Sequence, residues 1–268
     1  MFYIKKSALF LLLFHSILTF SQRDSIVNYL DNTYRLIEKD KASYTQTIVK
    51  KSKGWLRTVY KRDGNIKFQG IYKTKKTKLK TGNFKQYNEN GKIKSITSFN
   101  EKGKKDGIYY YFNNLGEVIT KGYYKNDKRE GVWKYSDENK NNRARIIFKK
   151  GKVVTYKLWD ENGEEFNEKL ILWKQPKFKG GFKTFKKMLI KHLKKNNLKT
   201  NFIVKCHINE DGDVVNLSIV PELEREHEKI IISFFKTIKD IEPAILANRK
   251  VKYTVELPIL LEKDPNYK

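Results

Sequence analysis

The stretch KGKKDGIYYYFNNLGEVITKGYYKNDKREGVWKY, residues 102–135, decides the fold. It holds two Gly-x-aromatic starts, Gly107-Ile108-Tyr109 and Gly131-Val132-Trp133, 24 residues apart. Outward from it the same start recurs at Gly82-Asn83-Phe84 and Gly54-Trp55, so the successive intervals are 28, 25 and 24. A second marker is offset within each unit: Asp63-Gly64, Asn90-Gly91, Leu115-Gly116 and, after one blurred copy, Asn162-Gly163. Asp-Gly and Asn-Gly supply the positive φ that two-residue hairpin turns require. The intervening runs are short, aromatic and β-branched, as in Thr58-Val59-Tyr60, Ile93–Phe99, Tyr109–Phe112 and Val118–Tyr124. Residues 51–163 therefore read as four to five β-hairpins, stacked so that neighbours bury rings no single hairpin could cover. Asn139–Arg145 is the poorest copy and reads as a loop.

The flanks differ. Met1–Gln22 has the plan of a secretory signal: Lys5 and Lys6 precede the apolar run Ala8–Phe20, which is too short to span a bilayer. Cleavage is expected near Ser21 or Gln22, giving an exported protein of the periplasm, the cell envelope or the exterior. Over 23–50, Ile26, Val27, Leu30, Tyr34 and Ile37 recur at helical spacing and predict one short amphipathic helix within Asp24–Lys41. Residues 164–173 read as a linker, 174–262 as a second domain and 263–268 as a tail. In that domain Phe182, Phe185, Met188, Leu189, His192 and Leu193 share a helical face. Asn201–Ile208 alternates as a strand, Asn209-Glu210-Asp211-Gly212 turns the chain, and Asp213–Val220 returns. Glu226–Lys239 is a second helix, with Ile230, Ile231, Phe234, Phe235 and Ile238 inward; Pro243 stops it, and Val251–Leu261 is a last strand. The fold class is thus β plus α+β: an array of antiparallel β-hairpin repeats, then a small α+β domain in the order helix, two-strand hairpin, helix, strand.

Two resemblances attach to these motifs. Lys102–Gly107, Tyr109–Tyr111 and Lys128–Tyr135 resemble the MORN-type repeat in its bacterial variant, a family of scaffolds and binding surfaces, some proposed to contact lipids. Pro176-Lys177-Phe178-Lys179-Gly180-Gly181 with the following helix, the Phe202–Val220 hairpin, Pro243-Ala244 and Val251–Ile259 resemble the TonB C-terminal domain in its Bacteroidetes-type form. That likeness implies a partner site. A short extended segment of an outer-membrane receptor would add to the sheet edge beside the last strand, against Val251, Lys252, Tyr253, Thr254, Val255 and Glu256.

Composition narrows the chemistry. Of 57 basic residues 48 are lysine and 9 arginine, against 30 acidic ones, a net charge of +27. Residues 51–159 alone carry +20. Interleaved with rings, that charge suits anionic lipid or glycan, or simply solvates the exposed face of a thin sheet; export and the scarcity of arginine disfavour nucleic acid. The single cysteine, Cys206, excludes an intrachain disulfide, and His192, His207 and His227 stand without a partner motif. No nucleophile elbow, paired-histidine spacing or phosphate loop appears, and Asp211-Gly212-Asp213 reads as a turn. The expected function is a non-enzymatic envelope adaptor, without cofactor or metal, that binds an envelope protein. A divergent TonB energy transducer held by an uncleaved Met1–Gln22, and a binder of anionic lipid or glycan, are the alternatives.

Overall fold

The computed structural model describes residues 25–261; the signal segment Met1–Gln22 and the tail 263–268 lie outside the described residues. The chain divides into two compact units between Lys157 and Leu158.

Twelve strands form one antiparallel hairpin sheet in strict sequence order. They are β1 (Ser25–Leu30), β2 (Tyr44–Lys51), β3 (Gly54–Lys61), β4 (Ile66–Tyr72), β5 (Lys80–Tyr87) and β6 (Ile93–Phe99). Then come β7 (Lys105–Phe112), β8 (Val118–Lys125), β9 (Lys128–Ser136), β10 (Asn142–Lys149), β11 (Lys152–Trp159) and the two-residue β12 (Glu165–Phe166). The sheet therefore runs past both expected ends of the array. The helix expected within Asp24–Lys41 is absent. Ser25–Leu30 is an edge strand paired with β2, and among the described residues of that segment the only helical ones are a 3-10 turn at Lys39–Lys41. The β2 strand offers Ile26 and Leu30 antiparallel partners at Ile48 and Tyr44, which outweigh a weak local helical pattern. Likewise Asn139–Arg145 is not a loop: the turn closes at Asn141 and Asn142 begins β10.

The turns differ in type from the expectation. Asn88, Asn100, Asn113, Asp137 and Asp160 each start one. Each side-chain oxygen accepts the N–H four residues on, and all but Asn88 also the N–H two residues on, as in Leu115 and Glu117 on Asn113 at 3.0 and 2.8 Å. The fourth residue is left-handed, Gly91 at φ 77° for example, with Lys140 at φ 69° taking that place in the blurred copy. These are three-residue loops with a bulged glycine rather than two-residue turns. The two-residue form occurs on the other connections, at Asn126-Asp127 and Lys150-Gly151, where both residues have positive φ.

One face of the sheet carries the rings. Direct cross-strand partners point to the same side, so the register aligns Ile48, Arg57, Gly70, Phe84, Thr97, Tyr109 and Gly122 in a row. Phe84 lies over Gly70, and Trp133 over Gly122. Around Phe84 stand Phe68, Tyr72 and Phe99 at 5.3, 6.4 and 6.2 Å between ring centres. Around Trp133 stand Tyr109, Tyr124 and Phe148 at 5.4, 5.0 and 6.1 Å. Two repeats thus cap a glycine with a large ring and wall it with further rings, while between them Tyr109 stands opposite Thr97; the buried apolar area is worth roughly 1.5–3 kcal/mol per large side chain.

The second unit holds two helices, α1 (Gly181–Lys195) and α2 (Arg225–Thr237), with β14 (Phe202–Ile208), β15 (Val214–Val220) and β18 (Tyr253–Ile259) in the order β15-β14-β18. Three shorter strands, β13 (Trp173–Lys174), β16 (Ala244–Leu246) and β17 (Arg249–Val251), form a small second sheet. Phe185, Leu189 and Leu193 of α1, Ile231, Phe234 and Phe235 of α2, alternate residues of β14, and Leu257 and Ile259 of β18 make one core. Phe182 and Met188, expected inside, are about half exposed: α1 buries only the narrower stripe at 185, 189 and 193.

Candidate functional site

The expected partner segment is not one continuous strand. Val251 ends β17, where it pairs with Ala244, Lys252 lies between strands, and Tyr253, Thr254, Val255 and Glu256 open β18. The break follows from a hairpin the sequence reading missed. Ala247 and Asn248 both take positive φ, 52° and 60°, and turn β16 back on β17, which Arg249 begins. The Asn248 side chain fixes this turn, accepting the Ile171 N–H at 2.5 Å and donating to the Lys169 carbonyl at 3.0 Å.

β18 is an edge. It pairs with β14 on one side, from Phe202↔Ile259 to Ile208↔Tyr253, and no strand among the described residues borders its other side. Pro258 sits opposite Ile203 and has no N–H to give, so that pair is non-hydrogen-bonded. By the antiparallel alternation, Lys205↔Glu256 and His207↔Thr254 are too. The N–H of Leu261 has the opposite parity and points inward, onto Asn201 Oδ1 at 2.8 Å. The backbone groups of Thr254 and Glu256 therefore face the open edge. Side chains alternate across the strand: Leu257 and Ile259 are buried in the core, whereas Thr254, Glu256 and Pro258 are exposed. Glu256 reaches Lys205 Nζ at 3.5 Å, and Tyr253 packs on Trp173 with ring centres 5.8 Å apart. The N–H of Lys252 donates to Glu210 Oε1 at 3.1 Å, tying the start of the edge to the β14–β15 turn.

Of the other groups singled out in the sequence, Cys206, His192 and Gly212 make contacts within the fold. Cys206 is free and buried in the core beneath the helices, and burial pushes its thiol up to about 11. The His192 ring lies 3.2 Å from the Ile230 carbonyl and packs on Phe234. Gly212 closes the Asn209–Asp213 turn, in which Asn209 Oδ1 accepts the N–H groups of Asp211 and Asp213 at 3.1 and 2.7 Å. Among the described residues no three or more His, Cys, Asp or Glu side chains group so as to hold a metal ion. No helix among them is long and apolar enough to cross a membrane.

The ring face of the hairpin sheet is the second candidate, and sequence spacing alone did not reveal it. A line of cations rests on the rings. Arg57 lies over Phe68 and Tyr72 at 5.2 and 5.8 Å, and Lys80 over Phe84 and Phe99 at 4.0 and 5.3 Å. Lys105 lies over Tyr124 at 5.0 Å, and Arg129 over Trp133 and Phe148 at 4.9 and 5.3 Å. The four fall on β3, β5, β7 and β9, one per hairpin. On the opposite face Lys121, Lys134 and Arg145 stand directly across from one another, but all three are exposed and solvated.

No protein-family model matches the chain, and no curated protein matches it.

Proposed function

We propose that the chain is an exported, non-enzymatic cell-envelope adaptor that takes up an extended segment of an envelope protein along β18. The observation that carries this is the free side of β18, a seven-residue edge whose outward backbone groups lie at Thr254 and Glu256. An added strand would gain main-chain hydrogen bonds there, and its alternate side chains would meet Lys252, Thr254 and Glu256. The likeness of 174–262 to the TonB C-terminal domain supports the same edge and suggests an outer-membrane receptor as the partner. On this reading the MORN-like array is a spacer or a second binding surface.

The test is affinity capture from cross-linked envelope extract with tagged 23–268, beside its Thr254→Pro variant. Proline at Thr254 removes an outward donor without touching the ladder to β14. Recovery of one receptor by the wild type and its loss from the folded variant supports the reading; equal capture by both overturns it. A mature N-terminus near residue 22 or 23 would exclude the membrane-anchored transducer.

A further inference from the structure

We propose that Arg57, Lys80, Lys105 and Arg129 form a binding row for a linear acidic polysaccharide that crosses the strands of the hairpin sheet. Three observations lead there, and none depends on the edge at β18.

The first is spacing. The four cations stand on alternate strands of one sheet, and neighbouring strands lie about 4.8 Å apart, so the strands that carry them recur roughly every 9.5 Å; Arg57, opposite Gly70, is offset along the strands from Lys80, opposite Tyr72. A small anion cannot bridge two such sites, whereas a polymer can follow all four. A polysaccharide with one carboxylate per disaccharide places its charges at a comparable interval. A nucleic-acid strand, with one phosphate per roughly 3.4 Å in the duplex, is far denser in charge.

The second is the lack of compensation. None of the four forms an ion pair among the described residues. The carboxylates close in sequence to Lys80, Lys105 and Arg129 accept other donors than these cationic heads. Glu101 accepts the Thr81 hydroxyl, Asp106 the Asn100 amide and the Asn126 N–H, Asp127 the Lys105 backbone N–H, and Glu130 the Lys150 N–H. The hydrogen-bond partners of Arg57 are neutral, the amide oxygen of Gln46 and the Tyr72 hydroxyl.

The third is burial. Arg57, Lys80 and Arg129 are only partly exposed, held among rings, unlike the solvated lysines of the opposite face. Burial, and then the neighbouring charges of Lys105 and Arg57, hold the Lys80 ammonium below the ordinary lysine range. Cations partly withdrawn from water, mutually repelling and unmatched by carboxylates are stabilised by an anion; freely solvated ones gain little. A narrow row set among rings also suits a single chain better than a plane of lipid headgroups.

The experiment is calorimetry on the full chain with hyaluronan oligosaccharides of one, two and four disaccharides at 0.15 M salt. Affinity is expected to rise about tenfold or more from the shortest to the longest. Lys80→Gln/Lys105→Gln/Arg129→Gln should lose about tenfold or more, and Lys85→Gln/Lys121→Gln/Lys134→Gln, the same charge change on the opposite face, less than about threefold. Lys80→Arg/Lys105→Arg/Arg129→Lys should retain binding, and Thr254→Pro should leave it unchanged. Absent binding, no dependence on length, equal loss in the two glutamine variants, or tighter binding of oligothymidylate or of phosphatidylglycerol vesicles would each overturn the proposal. If the first glutamine variant does not melt cooperatively, the length series and the arginine exchange decide.

Discussion

The ring of Phe84 covers Gly70 so closely that a β-carbon at Gly70 would lie well inside 3.0 Å of it, and Trp133 stands in the same relation to Gly122. Gly70 and Phe84 are direct cross-strand partners, so the glycine leaves the space that the next strand's ring fills. Gly70→Ala should cost about 1–3 kcal/mol, because the ring must move out of a packed row. In a Phe84→Ala background the same change should be nearly neutral. A double-mutant cycle by urea denaturation checks this; equal cost in both backgrounds would show that the ring does not set the requirement.

Parity along β18 predicts opposite responses to proline. Val255→Pro removes a donor facing Cys206 of β14 and should cost about 3 kcal/mol or more. Thr254→Pro, with the parity of the natural Pro258, should cost under about 1 kcal/mol. Thermal melts of the two variants discriminate them.

Asp137 anchors the β9–β10 turn. Its carboxylate accepts Arg143 Nη2 at 2.7 Å and Nε at 3.0 Å, and the N–H groups of Asn139 and Asn141 at 2.9 Å. Burial acts to raise its pKa, but the bonds from Asn141 and Arg143 outweigh it and hold the group below the ordinary carboxylate range. A folded-state value below the unfolded one means that this stabilisation is full above about pH 4 and is lost as pH falls through the folded value. Asp137→Ala should cost about 1–3 kcal/mol at neutral pH. The difference from wild type should narrow below pH 4, as stability against pH would show.

Cys206 should be inert in the native protein. A buried thiol raised to about 11 carries almost no thiolate at pH 8, so alkylation should follow only opening of the core. Mass spectrometry after iodoacetamide, with and without denaturant, tests this; rapid native labelling would contradict it.

How much of this was legible in the sequence varied with the physics. The repeat was, because glycine at left-handed turn positions and aromatics at fixed offsets are local requirements. So was α2, whose inward Ile231, Phe234 and Phe235 keep helical spacing. The turn type was misread from Asn90-Gly91, although the residue that shapes the loop, Asn88, was in plain view two positions earlier. The first strand was misread because Ile26 and Leu30 fit both a helical stripe and alternation over so few residues. The β16–β17 hairpin left no usual signal, its turn being Ala247-Asn248 without glycine. The cation row depends on cross-strand register through several bulges, as at Gly70/Ile71 and Thr97/Phe99, which no linear spacing reports.

The order β1 to β12 without a crossover has a kinetic and evolutionary consequence. Each strand closes only a short loop to reach its partner, so contact order is low, and assembly can begin at any hairpin and spread in both directions. A hairpin gained by duplication or lost by deletion leaves every remaining pairing intact. The reach of the array is thus free to change by whole repeats, each carrying its own ring and its own cation, while the fold on either side of the change stays the same.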